Sequence, residues 1–527
     1  MDKSDSLLQS SSKGLRSSIF FQGSSRILTF FLNQLTIRLT SPSAYAFSSI
    51  HFEILQSTIL FLSRESVRLA MQRIPSENAI ITSTSTESNK SKKLSDQLQL
   101  IKNTSLISVY IGIVISLLVS LFYFYSLPNF PYSKTCIFIY TVSSFIELLS
   151  EPYYEVLQWR QKFSKTASAE GLGTIICSLL SFAISVLGRN KAPSSLPFAL
   201  GNLSEKVTIF FTLRYFAKQP FSIFLHKVGE NERYIFWDSS TLRIICSHTY
   251  QVLLKHLITK GDKIMVAWYA SPSAQGPYAL ASNYGSLLAR IVFRPVEDHS
   301  HIVFAQLTHY KNKKDEKKAL NLLAWILKLY SYMSLFILFG SNYSDIVLLF
   351  GAGSKWASPD SSSILSWYAM YIPFMAANGV LEAFYVSAAN SSQLYDQGKC
   401  YLASAVFYFI TGKVLLSWFN LGSHGLILAN ILNLSLRICF ALRFILHNYK
   451  DFSLPRSLPR PFLLALSILL SIISSFLVKH WRESKVPFLV YFLSAPLLAI
   501  LYSCFIILVD KDVRGYAKIL LSKYHIK

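Results

Sequence analysis

Windows of about 20 mostly apolar residues, the length that crosses a bilayer at 1.5 Å of rise per residue, recur from one end of the chain to the other. About fourteen can be read. They centre near 17–40, 46–70, 104–127, 134–158, 168–188, 196–216, 242–268, 277–300, 319–341, 362–388, 400–419, 423–446, 461–479 and 486–509. Inside a bilayer each segment must satisfy its own backbone hydrogen bonds, so the repetition predicts an all-α polytopic membrane protein. Composition agrees, since 52% of the 527 residues are hydrophobic and only 15% are charged. A soluble fold of this size needs far more charge on its surface, and a disordered chain would not carry so much apolar content.

The net charge of +23 would suit a nucleic-acid partner only if the basic residues formed a groove-entering element. Instead they cluster in short segments between apolar stretches, which is how a membrane protein sets its orientation. With the N-terminus cytosolic, alternate segments collect about 31 Lys and Arg against about 8 on the other side. The rich segments include Lys90/Lys92/Lys93, Arg160/Lys162/Lys165, Lys311/Lys313/Lys314/Lys317/Lys318 and the tail from Lys511. An even number of spans with both termini in the cytosol follows. The first fifteen residues are polar and no small-residue cleavage site follows a compact apolar core, so the first apolar segment is expected to be kept as a span.

The longest polar stretches are 73–100, rich in Ser and Lys, and 217–241, near the middle of the chain. The expected organisation is a six-helix bundle over 1–216, a cytosolic linker over 217–241, a second six-helix bundle over 242–447, and two extra spans with a cytosolic tail over 448–527. The six cysteines (136, 177, 246, 400, 439 and 504) show no CxxC and no metal spacing, and read as buried thiols.

The spans differ in a way that points to function. Segments 104–127, 172–188, 461–478 and 486–509 are nearly free of charge. Others carry charge at depth, at about 2.5–3.5 kcal/mol for each group at a helix centre. Helical arithmetic puts these groups on single faces. Gln22, Arg26, Thr29, Asn33, Thr36 and Thr40 fall within about 40° of one line, and Glu53, Ser57, Arg64 and Arg68 within about 60°. Glu147, Glu151, Tyr154 and Gln158 align in the fourth span, and His248, Gln251, Lys255, Thr259 and Asp262 in the seventh. Asn283, Arg290, Arg294, Glu297 and His301 align in the eighth. Arg38, Arg68, Arg160, Lys263 and Glu382 are read as structural ion pairs or as side chains reaching the interface. Arg26, Arg64, Lys255 and Arg290 are read as facing a cavity.

Spans one, two, seven and eight open the two halves, so their cationic stripes are expected to meet across a central cleft, where transporters bind substrate. The Arg fork suits phosphate or carboxylate oxygens. The favoured cargo is an amphiphile with an anionic, phosphorylated head and a polar group. No GxxxxGK[ST], HExxH or GxSxG occurs, no histidine cluster has ligand spacing, and no selectivity filter or voltage-sensor ladder is present. The chain is therefore read as neither an enzyme nor a channel, with no cofactor and no metal. Sequons occur at Asn103, Asn202, Asn342, Asn390 and Asn433; in this topology only Asn342 falls outside a span on the non-cytosolic side.

Specific strings carry a resemblance. Ile27-Leu28-Thr29-Phe30-Phe31-Leu32-Asn33 with Arg38, Leu60-Phe61-Leu62-Ser63-Arg64-Glu65-Ser66-Val67-Arg68 and Glu147-Leu148-Leu149-Ser150-Glu151-Pro152 resemble segments of the eukaryotic oligosaccharide translocation protein family. So do Lys255-His256-Leu257-Ile258-Thr259-Lys260-Gly261-Asp262-Lys263 and Asn283-Tyr284-Gly285-Ser286-Leu287-Leu288-Ala289-Arg290. Asn378-Gly379-Val380-Leu381-Glu382 and Gly425-Leu426-Ile427-Leu428-Ala429-Asn430 through Arg437 continue the match over nearly the whole chain.

The resemblance implies an endoplasmic reticulum protein that flips a dolichyl-diphosphate-linked oligomannose from the cytosolic to the lumenal leaflet for N-glycosylation. It also implies the fold of the multidrug/oligosaccharidyl-lipid/polysaccharide exporter superfamily, two pseudo-symmetric six-helix bundles plus two C-terminal helices. The candidate diphosphate and sugar contacts are Arg26, Asn33, Arg64, Lys255, Arg290 and Arg294, read from the polar stripes. The resemblance adds that Arg26, Arg64 and Arg290 lie on helices comparable to those whose arginines meet the diphosphate in related bacterial lipid flippases. Glu53, Glu147, Glu151, Asp262 and Glu297 are candidates for ion coupling or ion pairing. Implied partners are the lipid-linked oligosaccharide, endoplasmic reticulum lipids and the N-glycosylation machinery. Two departures raise local positive charge: 260–263 reads Lys-Gly-Asp-Lys where the family more often has an acidic residue before Arg, and Arg294 stands where Gln is common. The alternative reading is an accessory protein that binds or delivers the lipid-linked oligosaccharide without flipping it.

Overall fold

The computed structural model describes residues 28–72, 74–75, 77, 87–127, 129–188, 194–228, 235–309, 313–483, 488–510 and 513–514. Apart from one isolated antiparallel bridge, Val228 to Ile235, regular structure among them is helical. The chain divides into two compact units, Met1–Ile264 and Met265–Lys527.

In the first unit, helix α1 covers 28–39. Ser41 then caps α2 (Pro42–Ala46), its hydroxyl accepting from the Ala44 N–H at 3.3 Å, with Pro42 in the first turn where a missing N–H is harmless. A π-helical turn, Phe47–Phe52, leads directly into α3 (Glu53–Met71). There follow α4 (Glu87–Ser126), α5 (Ser133–Leu149), α6 (Glu151–Trp159), α7 (Phe163–Leu187), α8 (Leu196–Ala217) and α9 (Ser239–Tyr269), whose last residues pass into the second unit. Phe52, Leu55, Ile59, Tyr140 and Leu148 knit α3 to α5 in one core cluster. Helices α7 and α8 approach closely because Gly201 sits on the contact. A Cβ there would lie 2.0 Å from the Ser181 hydroxyl and 2.9 Å from the Cys177 carbonyl oxygen. Small residues let backbones pack where lipid offers no hydrophobic drive.

The second unit contains α10 (Pro272–Leu288), a π-helical turn (Ala289–Phe293), α11 (Arg294–His309), α12 (Lys313–Gly340), α13 (Ser344–Gly351) and α14 (Pro359–Ala388). After them come α15 (Ser391–Ser417), α16 (Gly422–Asn448), α17 (Pro461–Glu483) and α18 (Phe488–Val509). Asn390 and Gln393 start α15 with a reciprocal capping box, both bonds at 2.9 Å. Phe293, Phe304, Leu323, Phe384 and Ile445 form its main core.

Among the described residues, eight helical stretches are long and apolar enough to cross a membrane: Lys92–Ser126, Phe163–Leu187, Lys313–Gly351, Pro359–Ala388, Ser392–Ser417, Gly422–Asn448, Leu454–His480 and Phe492–Val509. This is a multi-span membrane protein. Of the remaining predicted spans, 17–40 has residues 17–27 outside the described residues and its latter part on α1; the others fall on α3, α5 with α6, α8, α9, and α10 with α11. Among these, α3, α8 and α9 carry the charges that keep a helix from looking apolar, whereas α5, α6, α10 and α11 are short because the α-helix is interrupted within the predicted span. Outward faces of the apolar stretches are bare hydrocarbon, as at Leu117, Leu118 and Leu121 on α4. The cysteines correct one expectation. Cys136 is buried, whereas Cys246, Cys439 and Cys504 are exposed, because burial against lipid is not burial within the protein.

Candidate functional site

The charged stripe of α3 meets the junction of α5 and α6. Arg64 and Arg68 lie one turn apart on α3, so both point the same way. The α5 helix stops at Leu149 and α6 begins at Glu151, with Pro152 in its first turn. Because Pro152 has no N–H to donate, the chain turns there, and the Ser150 hydroxyl donates back to the Glu147 carbonyl at 2.6 Å. The turn aims Glu147 and Glu151 at the same cation. The Arg64 Nη1 donates to Glu147 Oε1 at 2.7 Å and to Glu151 Oε1 at 2.9 Å. Arg68 grips Glu151 with two bonds, Nη2 to Oε1 at 2.6 Å and Nε to Oε2 at 2.9 Å, and its guanidinium lies 4.0 Å from the centre of the Tyr154 ring. From α8, Lys206 Nζ reaches Glu147 Oε2 and Glu205 Oε1, each at 3.0 Å. Three cations thus face three carboxylates drawn from four helices, most of them with little exposure, which is where paired charges interact strongly.

A second array joins α9 to α3 within the same unit. Glu53 takes Lys260 at 2.9 Å and Lys263 at 2.5 Å, and Lys255 reaches Glu65 at 2.9 Å. The Lys255 side chain is 57% exposed, the most open of these cations. His256 packs its ring on Phe61 and shares a 3.0 Å hydrogen bond between Nε2 and the Thr58 hydroxyl. Asp262 is half-buried among Lys260, Lys263 and Glu53.

In the second unit Arg294 is 74% exposed, with Asp298 at 4.0 Å. Glu297 lies against the backbone of α14 at Gly379, where a Cβ would meet its Oε1 at 1.7 Å. One turn on, Glu382 Oε2 accepts from Arg437 Nη2 at 3.0 Å and from Asn378 Nδ2 at 3.3 Å, while the Arg437 guanidinium sits 3.8 Å from the centre of the Tyr401 ring.

Of the predicted contacts, the structure brings Arg64 together with Glu147 and Glu151, ties Lys255 into the α9–α3 array with Glu53 and Asp262 close by, and leaves Asn33 and Arg294 exposed. Arg26 lies outside the described residues, and so does the Arg290 side chain, whose backbone belongs to the π-helical turn Ala289–Phe293. Arg68, Lys263 and Glu382 are ion-paired, and Arg160 reaches Glu77 at 3.7 Å. Sequence reasoning missed Lys206, Glu205 and Glu155. The signal was available, since Glu205-Lys206 interrupts an apolar span and Glu155 sits one turn beyond Glu151. Among the described residues no group of three or more His, Cys, Asp or Glu is placed to hold a metal ion.

A family model described as Rft-1, Rft protein, matches residues 10–519. The chain belongs to the Rft-1 family. Two relatives share one printed name, Man(5)GlcNAc(2)-PP-dolichol translocation protein RFT1. That of Schizosaccharomyces pombe is 99% identical over 527 residues, 100% of each chain. That of Kluyveromyces lactis is 31% identical over 467 residues, 82% of each chain. Among solved structures, the lipid II flippase MurJ in an inward closed conformation superposes with a TM-score of 0.55 at 16% identity, covering 93% of this chain and 98% of that one. An inward-facing multidrug transporter of the MATE family gives 0.54 at 12% identity, over 81% and 96%. This family member therefore shares the fold of these two solved structures, and the Arg64 network lies on it.

Proposed function

We propose that this chain moves the dolichyl-diphosphate-linked oligomannose intermediate of N-glycosylation from the cytosolic to the lumenal leaflet of the endoplasmic reticulum membrane. The observation that carries the reading is 99% identity, over the full 527 residues, to a relative named as a Man(5)GlcNAc(2)-PP-dolichol translocation protein. The fold shared with MurJ and MATE transporters supports alternating access between two bundles, 1–216 and 242–447, with the pair over 448–527 added. The excess of Lys and Arg in alternate segments supports both termini in the cytosol.

In this reading the paired charges are exchangeable partners. Arg64 is held through one nitrogen, Nη1, by two carboxylates, and a diphosphate offers oxygens of the same kind with more charge. The entering head group exchanges with Glu147 and Glu151 for Arg64, and on release the carboxylates recover it, so the cargo is bound without being trapped. Asn33, Lys255 and Arg294, with open side chains, meet the head group or its sugars first, and Arg26 and Arg290 add further positive charge. Glu53, Asp262 and Glu297 hold or release cations as the cycle turns. No acid, base and nucleophile constellation is needed, because no bond is made or broken; the chain acts as a carrier.

The test is flux with the purified chain in sealed vesicles carrying traceable dolichyl-diphosphate oligomannose, beside a Lys255→Ala variant and an Arg64→Lys variant that keeps the charge but loses the fork. Lipid should reach the opposite leaflet faster than in empty vesicles, and both folded variants should slow it at least tenfold. Binding by the folded wild type without any transfer would refute the carrier reading.

A further inference from the structure

A cavity of about 350 Å³ opens in the first unit between the end of α3, the end of α6 and the start of α7, with Ile101 of α4 in its wall. Its size is at the lower end of the range for small-molecule sites. Glu155 lines it and is only 5% exposed. No hydrogen bond or ion pair engages the Glu155 carboxylate among the described residues; the charges that act on it are Glu151, Arg68 and Arg64. Buried polar groups without partners are uncommon enough to need a cause, and an unmade bond here is aimed into open space.

The chemistry of the wall narrows what fits. Arg68 also lines the cavity, but its Nε and Nη2 are both given to Glu151. Arg68 is the one cation among the described lining residues and is already engaged by Glu151, so the wall leaves no free positive charge for a diphosphate. Gln72 and Gln158 stand on the rim with amides that both donate and accept. Trp159 is fixed by its indole N–H, which donates to the Pro75 carbonyl at 2.8 Å, and its carbon surface forms an apolar wall. Carboxylate, amides and an immobile aromatic wall together suit a neutral molecule with many hydroxyls and apolar C–H faces. The space takes a sugar unit rather than a whole glycan.

We propose that this cavity is a sugar subsite, in which Glu155 accepts hydrogen bonds from the hydroxyls of one hexose while Gln72 and Gln158 bond its remaining hydroxyls. The assignment rests on the reading that the cargo is a lipid-linked oligomannose. The flanking polar stretch 73–100 and the basic Arg160/Lys162/Lys165 put the subsite at the cytosolic end in the proposed orientation, where a head group is met before it crosses.

The test uses the full chain in lipid nanodiscs with free oligomannose-chitobiose and with inorganic pyrophosphate, read by calorimetry, and wild-type lipid flux measured separately. The oligosaccharide should bind, Glu155→Gln and Gln158→Ala should each weaken it at least tenfold, and pyrophosphate binding should be unchanged in both variants. A second readout guards against misfolding: each variant must keep the wild-type melting temperature within a few degrees, and Gln158→Ala, on the rim, decides if Glu155→Gln does not. Equal oligosaccharide affinity in wild type and folded variants, or none in wild type, removes the subsite even if flux persists. Binding that depends on Glu155 without any flux keeps the subsite and removes the carrier reading. Displacement of bound oligosaccharide by sodium or potassium alone would identify a cation site and overturn the proposal.

Discussion

The Arg64 network of the first unit and the Lys328–Asp510 pair of the second are both buried ion clusters, yet they are built to opposite plans. At the second, Lys328 Nζ sits 2.7 Å from Asp510 Oδ2, the Tyr332 hydroxyl donates to the same carboxylate, and the Val513 N–H donates to Oδ1 at 3.3 Å. The carboxylate is satisfied on both oxygens, and Asp510 is 1% exposed. This closed arrangement pins the end of α18 to α12. The first cluster is branched: Arg64 is shared by two carboxylates, Glu147 by two cations, and Glu155 beside them is left open to a cavity. A closed pair fixes one geometry, whereas a branched network has alternative pairings of similar energy. Alternatives are what a site needs if it is to take up and give back a charged cargo.

Removing a carboxylate from the branched cluster is the most disruptive change the two clusters offer. Glu151→Ala strips one bond from Arg64 and both from Arg68, leaving Arg68 without its carboxylate while Arg64 keeps Glu147. We expect a loss of about 3–5 kcal/mol and no measurable flux, read by thermal unfolding in detergent and by vesicle transfer. A melting temperature within a degree of wild type would mean the network does not exist as described.

The closed pair should behave differently when both partners are replaced. Asp510→Ala alone strands Lys328 and should cost about 3 kcal/mol. Lys328→Met with Asp510→Leu should restore stability to within ~1 kcal/mol or exceed wild type, with flux intact, because apolar groups of similar volume often match a buried pair. Loss of flux in a stable double variant would show that this pair, too, takes part in transport. Asp510 also predicts a pH effect. Burial pushes its carboxyl up, but hydrogen bonds from Lys328 and Tyr332 outweigh this and hold it below the ordinary carboxylate range. A carboxyl lowered by folding stabilises above its unfolded pKa, and that contribution fades as pH falls through the folded value. Melting should therefore drop in acid below about pH 4, and Asp510→Asn should flatten that slope.

How far the sequence went can be seen in the same two places. The helical face of Glu147, Glu151, Tyr154 and Gln158 was readable because a 3.6-residue period repeats locally, and so was the stripe of α3. Pairing was not, since Arg64 and Glu147 are 83 residues apart and only packing decides which carboxylate meets which cation. Lys328 and Asp510, 182 positions apart by subtraction, gave no periodic sign at all. The helices themselves were legible from hydropathy wherever charge was sparse, and least legible where function concentrates charge.

Backbone contact between α7 and α8 offers a milder probe of the first unit. Gly201→Ala places a methyl against the Cys177 carbonyl oxygen and the Ser181 hydroxyl, and the backbone atom cannot swing aside. Overpacking of this kind costs about 1–3 kcal/mol. Combining it with Ser181→Ala should recover part of the loss, and no recovery would place the strain at the carbonyl alone.

The smallest effect is expected at Asn342, where the second unit is stitched a second time to its C-terminal helices. Its side-chain amide donates to the Ser471 carbonyl at 2.9 Å and to the Ser474 hydroxyl at 2.7 Å, while Ser471 and Ser474 donate back to the Leu338 and Phe339 carbonyls. The sequon Asn342-Tyr343-Ser344 therefore has its amide nitrogen engaged within the fold, and a glycan on that nitrogen would have to displace α17. We expect no mobility shift on endoglycosidase treatment of the full chain. Ser474→Ala should cost about 1–2 kcal/mol, since the hydroxyl both accepts from Asn342 and donates to the Phe339 carbonyl. If the chain from cells carries a glycan at Asn342, α17 does not pack on α12 as described, and the closed half of the comparison loses its second fastening.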